Sequence, residues 1–283
     1  MEKAHHPITL LCEALGISRA GYYEWRHREP SERCQADEQI VAHIKAVHAE
    51  HKQRYGSRRM TIELQSKGLH VNRKRVERLM RERRLPAVFP RKFRHTTNSA
   101  HKHPVAPNLL EQKFHASGPD KVWVGDITYI WTIEGWVYLA VLIDLYSRRV
   151  VGWAADRTLS RTLAIRALRM AIRTRKPAAG LIHHTDRGCQ YVSGDYQKIL
   201  HHHGLVASMS GKGNCYDNAV AESFFATIKK ELAHRVVFSS RSQAYRELLA
   251  FIDSYYNIKR RHSANGFLSP IQFEHSHRHA IAA

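Results

Sequence analysis

Residues 120–157 read DKVWVGDITYIWTIEGWVYLAVLIDLYSRRVVGWAADR, and no other stretch constrains the fold as strongly. β-branched and aromatic residues dominate it, which suits a pleated, half-buried surface. The dipeptide Glu134-Gly135 divides two strand-like runs and predicts a hairpin. RRVVGWAAD supplies a third strand. Alternating units follow. SRTLAIRALRMAIRTRK (160–176) places Leu163, Ala167, Met170 and Ala171 at helical spacing, with Ser160 as its predicted cap. GLIHHTD (180–186) predicts a short strand, DYQKILHHHG (195–204) a helix stopped by glycine, and LVASMS (205–210) a fifth strand. After the loop GKGNCYDN, helices are predicted near 218–234 and 241–260. The order β-β-β-α-β-α-β-α-α requires a mixed sheet with helices on its faces, an α/β class.

The chain ahead of this region reads as helical. ITLLCEALGIS and SRAGYYEWRHR form a predicted helix-turn-helix with Ser18 as an N-cap. DEQIVAHIKAVHAEH (37–51) is amphipathic. SRRMTIELQSKGLHVNRKRVERLMRERR (57–84) is helix, break at Gly68, helix. In the last helix Val76, Leu79, Met80 and the stem of Arg83 line one side, and Asn72 caps it. FPRKFRHTTNSAHKHPVAPN (89–108) lacks periodicity and reads as a basic linker. The boundaries are therefore 1–36 for an N-terminal helical segment, 37–95 for a basic helix-turn-helix region, 96–117 for the linker and 118–276 for the α/β unit.

A net charge of +20 points to a polyanionic partner, nucleic acid before membrane. Residues 1–118 hold 23 Lys/Arg against 12 Asp/Glu, and the remainder 22 against 13, so both parts carry the excess. The longest apolar run, VYLAVLI (137–143), is far too short to span a bilayer. The start, MEKAHHPITLLCEALGIS, lacks an unbroken apolar stretch and a cleavage site, so a cytoplasmic, nucleoid-associated protein with reduced cysteines is expected. Cys12, Cys34, Cys189 and Cys215 form no CxxC pair, and the histidine clusters match no closed zinc site. Residues 73–94 hold ten Lys/Arg against Glu77 and Glu82. A helix with one apolar stripe and such a basic face suits DNA, with Arg73, Lys74, Arg75 and Arg78 as contacts. The bland alternative is a solvated helix face.

Three carboxylates occupy unusual places. Asp126 lies inside VWVGDITYI, although Asp is disfavoured within strands. Asp186 ends the strand LIHHTD, where α/β sheets usually bind ligands. Glu222 lies on a helix among Ala219, Val220, Ala221, Phe224 and Phe225. Converging carboxylates repel one another and raise each other's pKa. Divalent Mg²⁺ or Mn²⁺ removes that repulsion, and two such ions serve in-line phosphoryl displacement. Asp144, Asp156, Asp195 and Asp217 read instead as caps or surface residues, Asp217 with Asn218 shaping the loop and capping the next helix.

With their flanks, GDITYI, HTDRGCQY and YDNAVAESFFATIKKEL, the three carboxylates resemble the DDE motif of bacterial insertion-sequence transposases, within the retroviral-integrase superfamily. Asp126 and Asp186 are 60 apart and Asp186 and Glu222 are 36 apart, leaving 35 residues between the latter pair. That DD35E spacing, with Lys229 seven residues after Glu222, is similar to the insertion-sequence-three family. Seven residues is nearly two turns, so Lys229 shares a helix face with Glu222. ALGISRAGYYEWRHR, YGSRRMTIEL, VNRKRVERLMRERRL and YNIKRRHSANGFLSPIQFE resemble further family segments. The last departs by Asn265-Gly266 where Leu-Gly is usual, with looser local packing expected. The retroviral HHCC zinc unit is absent from the sequence.

The resemblance implies an RNase H-like core over 118–276 with a five-stranded mixed sheet. Asp126 lies on its first strand, Asp186 beside it on the fourth, and Glu222 closes the site from a helix. It implies two Mg²⁺ (or Mn²⁺) ions, water-dependent nicking of DNA at element ends, strand transfer by the freed 3′-OH, and Lys229 near the scissile end. The length and start resemble the OrfB product. Implied partners are DNA, other copies in a synaptic complex, and OrfA as frameshift fusion or separate chain; a membrane is not among them. Three rivals remain: an RNase H-like nuclease that only hydrolyses, a non-catalytic DNA-binding regulator, and a structural basic protein.

Overall fold

The computed structural model describes residues 7–87, 106–211 and 215–282. Residues 88–105, which hold most of the predicted basic linker, the histidine pairs at 5–6 and 101–103, and residues 212–214 of the GKGN loop lie outside the described residues, as do the side chains of 215, 216 and 278–282. Contacts divide the chain into two compact units at Ala87.

The first unit is helical: α1 (Ile8–Ala14), α2 (Arg19–His27), α3 (Glu32–Glu50), α4 (Ser57–Ser66) and α5 (Arg73–Glu82). Ser18 accepts a hydrogen bond from the Gly21 N–H at 3.0 Å, as its capping role requires. α3 starts five residues before the expected 37 because Ser31 caps it, accepting from the Cys34 N–H at 3.3 Å. Ile40, Val41, Ile44 and Val47 of α3 pack on Met60 and Leu64 of α4 and on Val76, Leu79 and Met80 of α5. Asn72 caps α5 through the Arg75 N–H at 2.9 Å. The stem of Arg83 does not extend the apolar stripe: α5 ends at Glu82, and exposed Arg83 pairs with Glu38.

The second unit is built on β1 (Val122–Thr132), β2 (Gly135–Asp144), β3 (Val150–Asp156), β4 (Ile182–Thr185) and β5 (Val206–Met209) in the order β3-β2-β1-β4-β5. β1, β2 and β3 are antiparallel neighbours, and β4 and β5 run parallel to β1. α6 (Arg161–Arg175) and α7 (Gly194–His202) share a core with one face. α8 (Ala219–Ile228) and α9 (Arg241–Leu249) share one with the other, and α10 (Pro270–Ala282) follows. This is the expected RNase H-like α/β architecture. α6 lies so close to β3 that a Cβ on Gly152 would collide with the Ala167 carbonyl.

Local departures have physical causes. Ser160 makes no capping bond; its hydroxyl lies 2.7 Å from that of Thr162. Both predicted C-terminal helices change winding: α8 passes into a π-helical turn at Lys229–Ala233, and α9 into one at Ala250–Tyr256. The first of these turns holds a buried ion pair, Glu231 with Arg260 at 2.7 Å. Asn218 does not cap α8; its amide donates to the Gly125 carbonyl at 3.4 Å. Asp217 does shape the loop, accepting from Asn108, Gln112 and the Gly211 N–H. Residues 106–117 pack on the sheet: the Leu109 N–H donates to Ser208 at 2.9 Å, and Leu110 is buried beside Val122, Val124 and Leu145.

Asp144 is not a surface residue. It is fully buried and accepts from the Asp120 N–H, the Ser147 N–H and the Ser147 hydroxyl, each at 2.8 Å. Burial pushes its pKa up to about 6. Asn265 tightens this corner where looser packing was expected: its amide donates to the Ser147 carbonyl at 2.6 Å.

Candidate active site

Register brings the first two carboxylates together. β1 and β4 pair in parallel from Val122↔Ile182 to Gly125↔Thr185. Asp126 and Asp186 are the next residue on each strand, so they stand side by side just beyond the last pairing, about 4.8 Å apart at the backbone. Gly125 is required there. A Cβ on it would sit 2.8 Å from the His183 ring, which projects from the neighbouring strand on the same side as that Cβ. Asp186 is held by the Gly188 N–H at 3.0 Å, which bends the chain away after β4.

α8 supplies the third carboxylate. Ala221, Phe224, Phe225 and Ile228 bury its apolar side against the sheet, leaving Glu222 half-buried. The Asp126 carboxyl is held well above the ordinary range, first by burial, then by the charges of Asp186 and Glu222; the Ile127 N–H and Lys229 oppose the rise. Its exposure is intermediate, so it remains reachable from solvent. Lys229, buried at 9% exposure, lies with its ammonium 5.0 Å from the centroid of Tyr129. Burial lowers its pKa, and Asp126 works against that. Asp126, Asp186, Glu222 and Lys229 thus form one electrostatic group drawn from β1, the end of β4, α8 and the π-helical turn that follows it.

Oxygen donors that repel one another fit a hard divalent cation. Among the described residues no three His, Cys, Asp or Glu side chains gather closely enough to hold a metal ion by themselves.

Sequence reasoning missed the support beneath the site. His183 and the Tyr196 hydroxyl are 2.7 Å apart, and His184 lies 2.9 Å from the Ser208 hydroxyl. Burial pushes both imidazoles down to about 4. Tyr191, 3% exposed, has a hydroxyl without a hydrogen-bond partner, and burial together with the charges of Asp126 and Asp186 raises its pKa. The one available signal was the pair of polar histidines inside an apolar strand.

In the helical unit, Arg73 and Lys74 are exposed on the first turn of α5. Arg75 and Arg78 are not simply displayed: both bind Asp37 of α3, at 2.7 and 2.6 Å, and hold its carboxyl below the usual range, Arg78 most strongly. Arg33, Lys74, Arg75 and Arg78 line an open groove beside the α5 N-terminus. The structure does not bring these residues and the carboxylates into one unit.

Comparison with known proteins adds an independent line. An integrase core domain family model matches residues 116–215, a second integrase core domain model 203–270, and an HTH-like domain model 35–93. Transposase InsF for insertion sequence IS3A of Escherichia coli (strain K12) is 46% identical over 274 residues, 96% of this chain and 95% of that protein. An uncharacterized 31 kDa protein of insertion element IS600 from Shigella sonnei is 46% identical over 96% of this chain and 100% of its own length. A solved trimeric form of the HTLV-2 integrase catalytic core domain in complex with magnesium aligns at TM-score 0.44 and 17% identity, covering 57% of this chain and 100% of that one.

Proposed function

The chain belongs to the insertion-sequence-three family of transposases, and from that premise we propose that Asp126, Asp186 and Glu222 are its catalytic carboxylates, cutting DNA at element ends and joining the freed 3′-OH to target DNA. The observation carrying this reading is the convergence of three like charges on Asp126, with Lys229 beside them. The carboxylates would hold two Mg²⁺ (or Mn²⁺) ions, which when bound stabilise charge on the attacking and leaving oxygens of an in-line displacement.

The protein's own groups do the rest. Asp126 and Asp186, fixed by register, orient the scissile phosphate from the sheet. Glu222 faces it from α8. Lys229 compensates phosphate charge at the cleft and engages the end being processed. In each step phosphorus exchanges one oxygen for another. Cleavage with water releases a 3′-OH, and that hydroxyl is the attacking oxygen in joining, so no covalent enzyme–DNA bond is needed.

The domain plan we propose is a helical segment ahead of α3, a DNA-binding region from α3 through α5, and a catalytic core that includes residues 106–117 packed on the sheet. Arg73 and Lys74 meet phosphates directly, and Arg75 and Arg78 use the N–H groups that Asp37 and, for Arg78, Glu82 leave over. We place the protein on DNA in the bacterial cytoplasm, as a multimer in the synaptic complex, with OrfA as fusion or separate partner. No helix among the described residues is long and apolar enough to cross a membrane.

Asp126→Asn, Asp186→Asn and Glu222→Gln are each expected to lower nicking and joining by at least about 10²–10³-fold while DNA binding survives. Nicking and strand-transfer assays with precleaved 3′-OH ends provide the check. Full activity in any one variant removes that residue from the set. Hydrolysis without joining in the wild type turns the reading to a nuclease, and binding with neither activity turns it to a regulator.

A further inference from the structure

The β1–β2 hairpin ends in large apolar side chains that stay in solvent: Trp131 is 55% exposed, Trp136 43% and Ile133 68%. The tip is nevertheless well anchored. The Ile133 N–H donates to the Phe238 carbonyl at 2.9 Å, the Arg241 N–H to Glu134 at 2.9 Å, and Thr132 to the Gly135 carbonyl at 2.6 Å. The rings are therefore held out on a rigid support.

They also form a path. Trp131 and Trp136 meet edge to face with centroids 4.8 Å apart, and Trp136 meets Tyr129 the same way at 5.0 Å. Tyr129 in turn lies 5.0 Å from the ammonium of Lys229, which reaches the charge of Asp126. The path begins at the candidate catalytic floor and ends in solvent. A cation stands at each end: Lys229 at the cleft, and Arg241 at the tip, where its Nε donates to the Trp136 carbonyl at 3.3 Å.

We propose that Tyr129, Trp131 and Trp136 form a stacking platform for unpaired nucleobases of the DNA strand whose phosphate enters the Asp126–Asp186 cleft. The proposal rests on reading that cleft as a DNA-processing site. Exposed aromatic faces flanked by cations bind single strands, because every base offers a π-face and the backbone supplies the anion. A paired duplex hides those faces within its own stack. The excess of +20 favours a polyanion over an apolar protein partner on this surface.

The test uses the full chain in EDTA, where no cutting occurs. Its ligands are a blunt duplex and the same duplex with several unpaired end nucleotides, one of them 2-aminopurine. The forked end is expected to bind about tenfold tighter and to quench the probe. Trp131→Ala with Trp136→Ala is expected to abolish that preference without changing the salt slope, which counts phosphates. The Trp→Phe pair is expected to retain most of the preference, and thermal melting confirms that the variants fold. Equal affinity for both DNAs, no quenching, or a preference surviving in the double Ala variant overturns the platform. So does a wild-type dimer that the Ala changes dissociate with fork binding unaltered, which assigns the face to a second copy. Parallel nicking with Mg²⁺ separates the two ideas: fork preference without nicking keeps the platform and removes the catalytic reading, and nicking without fork preference does the reverse.

Discussion

Asp126 carries two opposing demands. Its place within a strand and beside two other acids raises its pKa above that of an ordinary Asp, yet the phosphoryl chemistry proposed for it needs the charged form. A cation favours that charged form, so metal and proton compete. Nicking is therefore expected to fall as pH drops, and a tenfold increase in Mg²⁺ should move that acid limb to lower pH by up to about one unit per displaced proton. A pH–rate profile at two Mg²⁺ concentrations measures this. An acid limb that stays in place separates the rate-limiting proton from the carboxylate proposed to bind metal. The unusual position of Asp126 was legible from sequence because an acid in an apolar strand breaks a local rule. Tyr191 and Asp144 were not, because their character comes from what surrounds them. Nothing within VLIDLYS announces that Asp144 turns inward onto Asp120 and Ser147.

At the scale of elements, the turn that carries Lys229 has its own support. Glu231 and Arg260 are both buried, at 3% and 3% exposure, and Arg260 makes bonds of 3.1, 3.0 and 2.7 Å to the carboxylate. Arg260→Met strands that carboxylate without a counter-charge and is expected to cost about 3–5 kcal/mol. The double variant Glu231→Leu with Arg260→Met should recover most of the loss, since the desolvation penalty goes with the pair. Chemical denaturation of the three variants checks both. The helix periods were readable, but the change to π winding was not: it accompanies a pairing between residues 29 apart in sequence. The basic face of α5 was readable as charge alone. Whether Arg75 is displayed or engaged depends on Asp37, which lies on another helix, and Arg78 is held both by Asp37 and by Glu82 on its own helix.

For the whole molecule, acid is expected to act through the imidazoles beneath the site. His183 and His184 have pKa values near 4 when folded and near 6.5 when unfolded, so the unfolded chain binds their protons first. Their contribution is complete above about pH 6.5 and is lost as pH falls towards 4, about 3 kcal/mol for each. Asp144 acts in the opposite sense, since its raised pKa favours the folded state as pH falls below about 6. His183→Gln and His184→Gln should each flatten the loss of stability between pH 6.5 and 4 relative to wild type, as followed by denaturant titration at a series of pH values. A slope unchanged in both variants places the acid sensitivity elsewhere. The mixed sheet was legible because the hydrophobic period changes visibly after residue 118, whereas the division into two compact units at Ala87 was not, since it depends on contacts between helices. The pairing of β1 with β4 has a further consequence. Asp126 and Asp186 meet because each is one step past the same rung of the ladder, so the count of 60 between them is incidental. The connection from β2 to β4 can grow or shrink in its loops and leave them neighbours. One residue inserted inside either four-residue paired stretch would turn one acid to the far side of the sheet. What such a chain must preserve is a parity, and a length can drift around it.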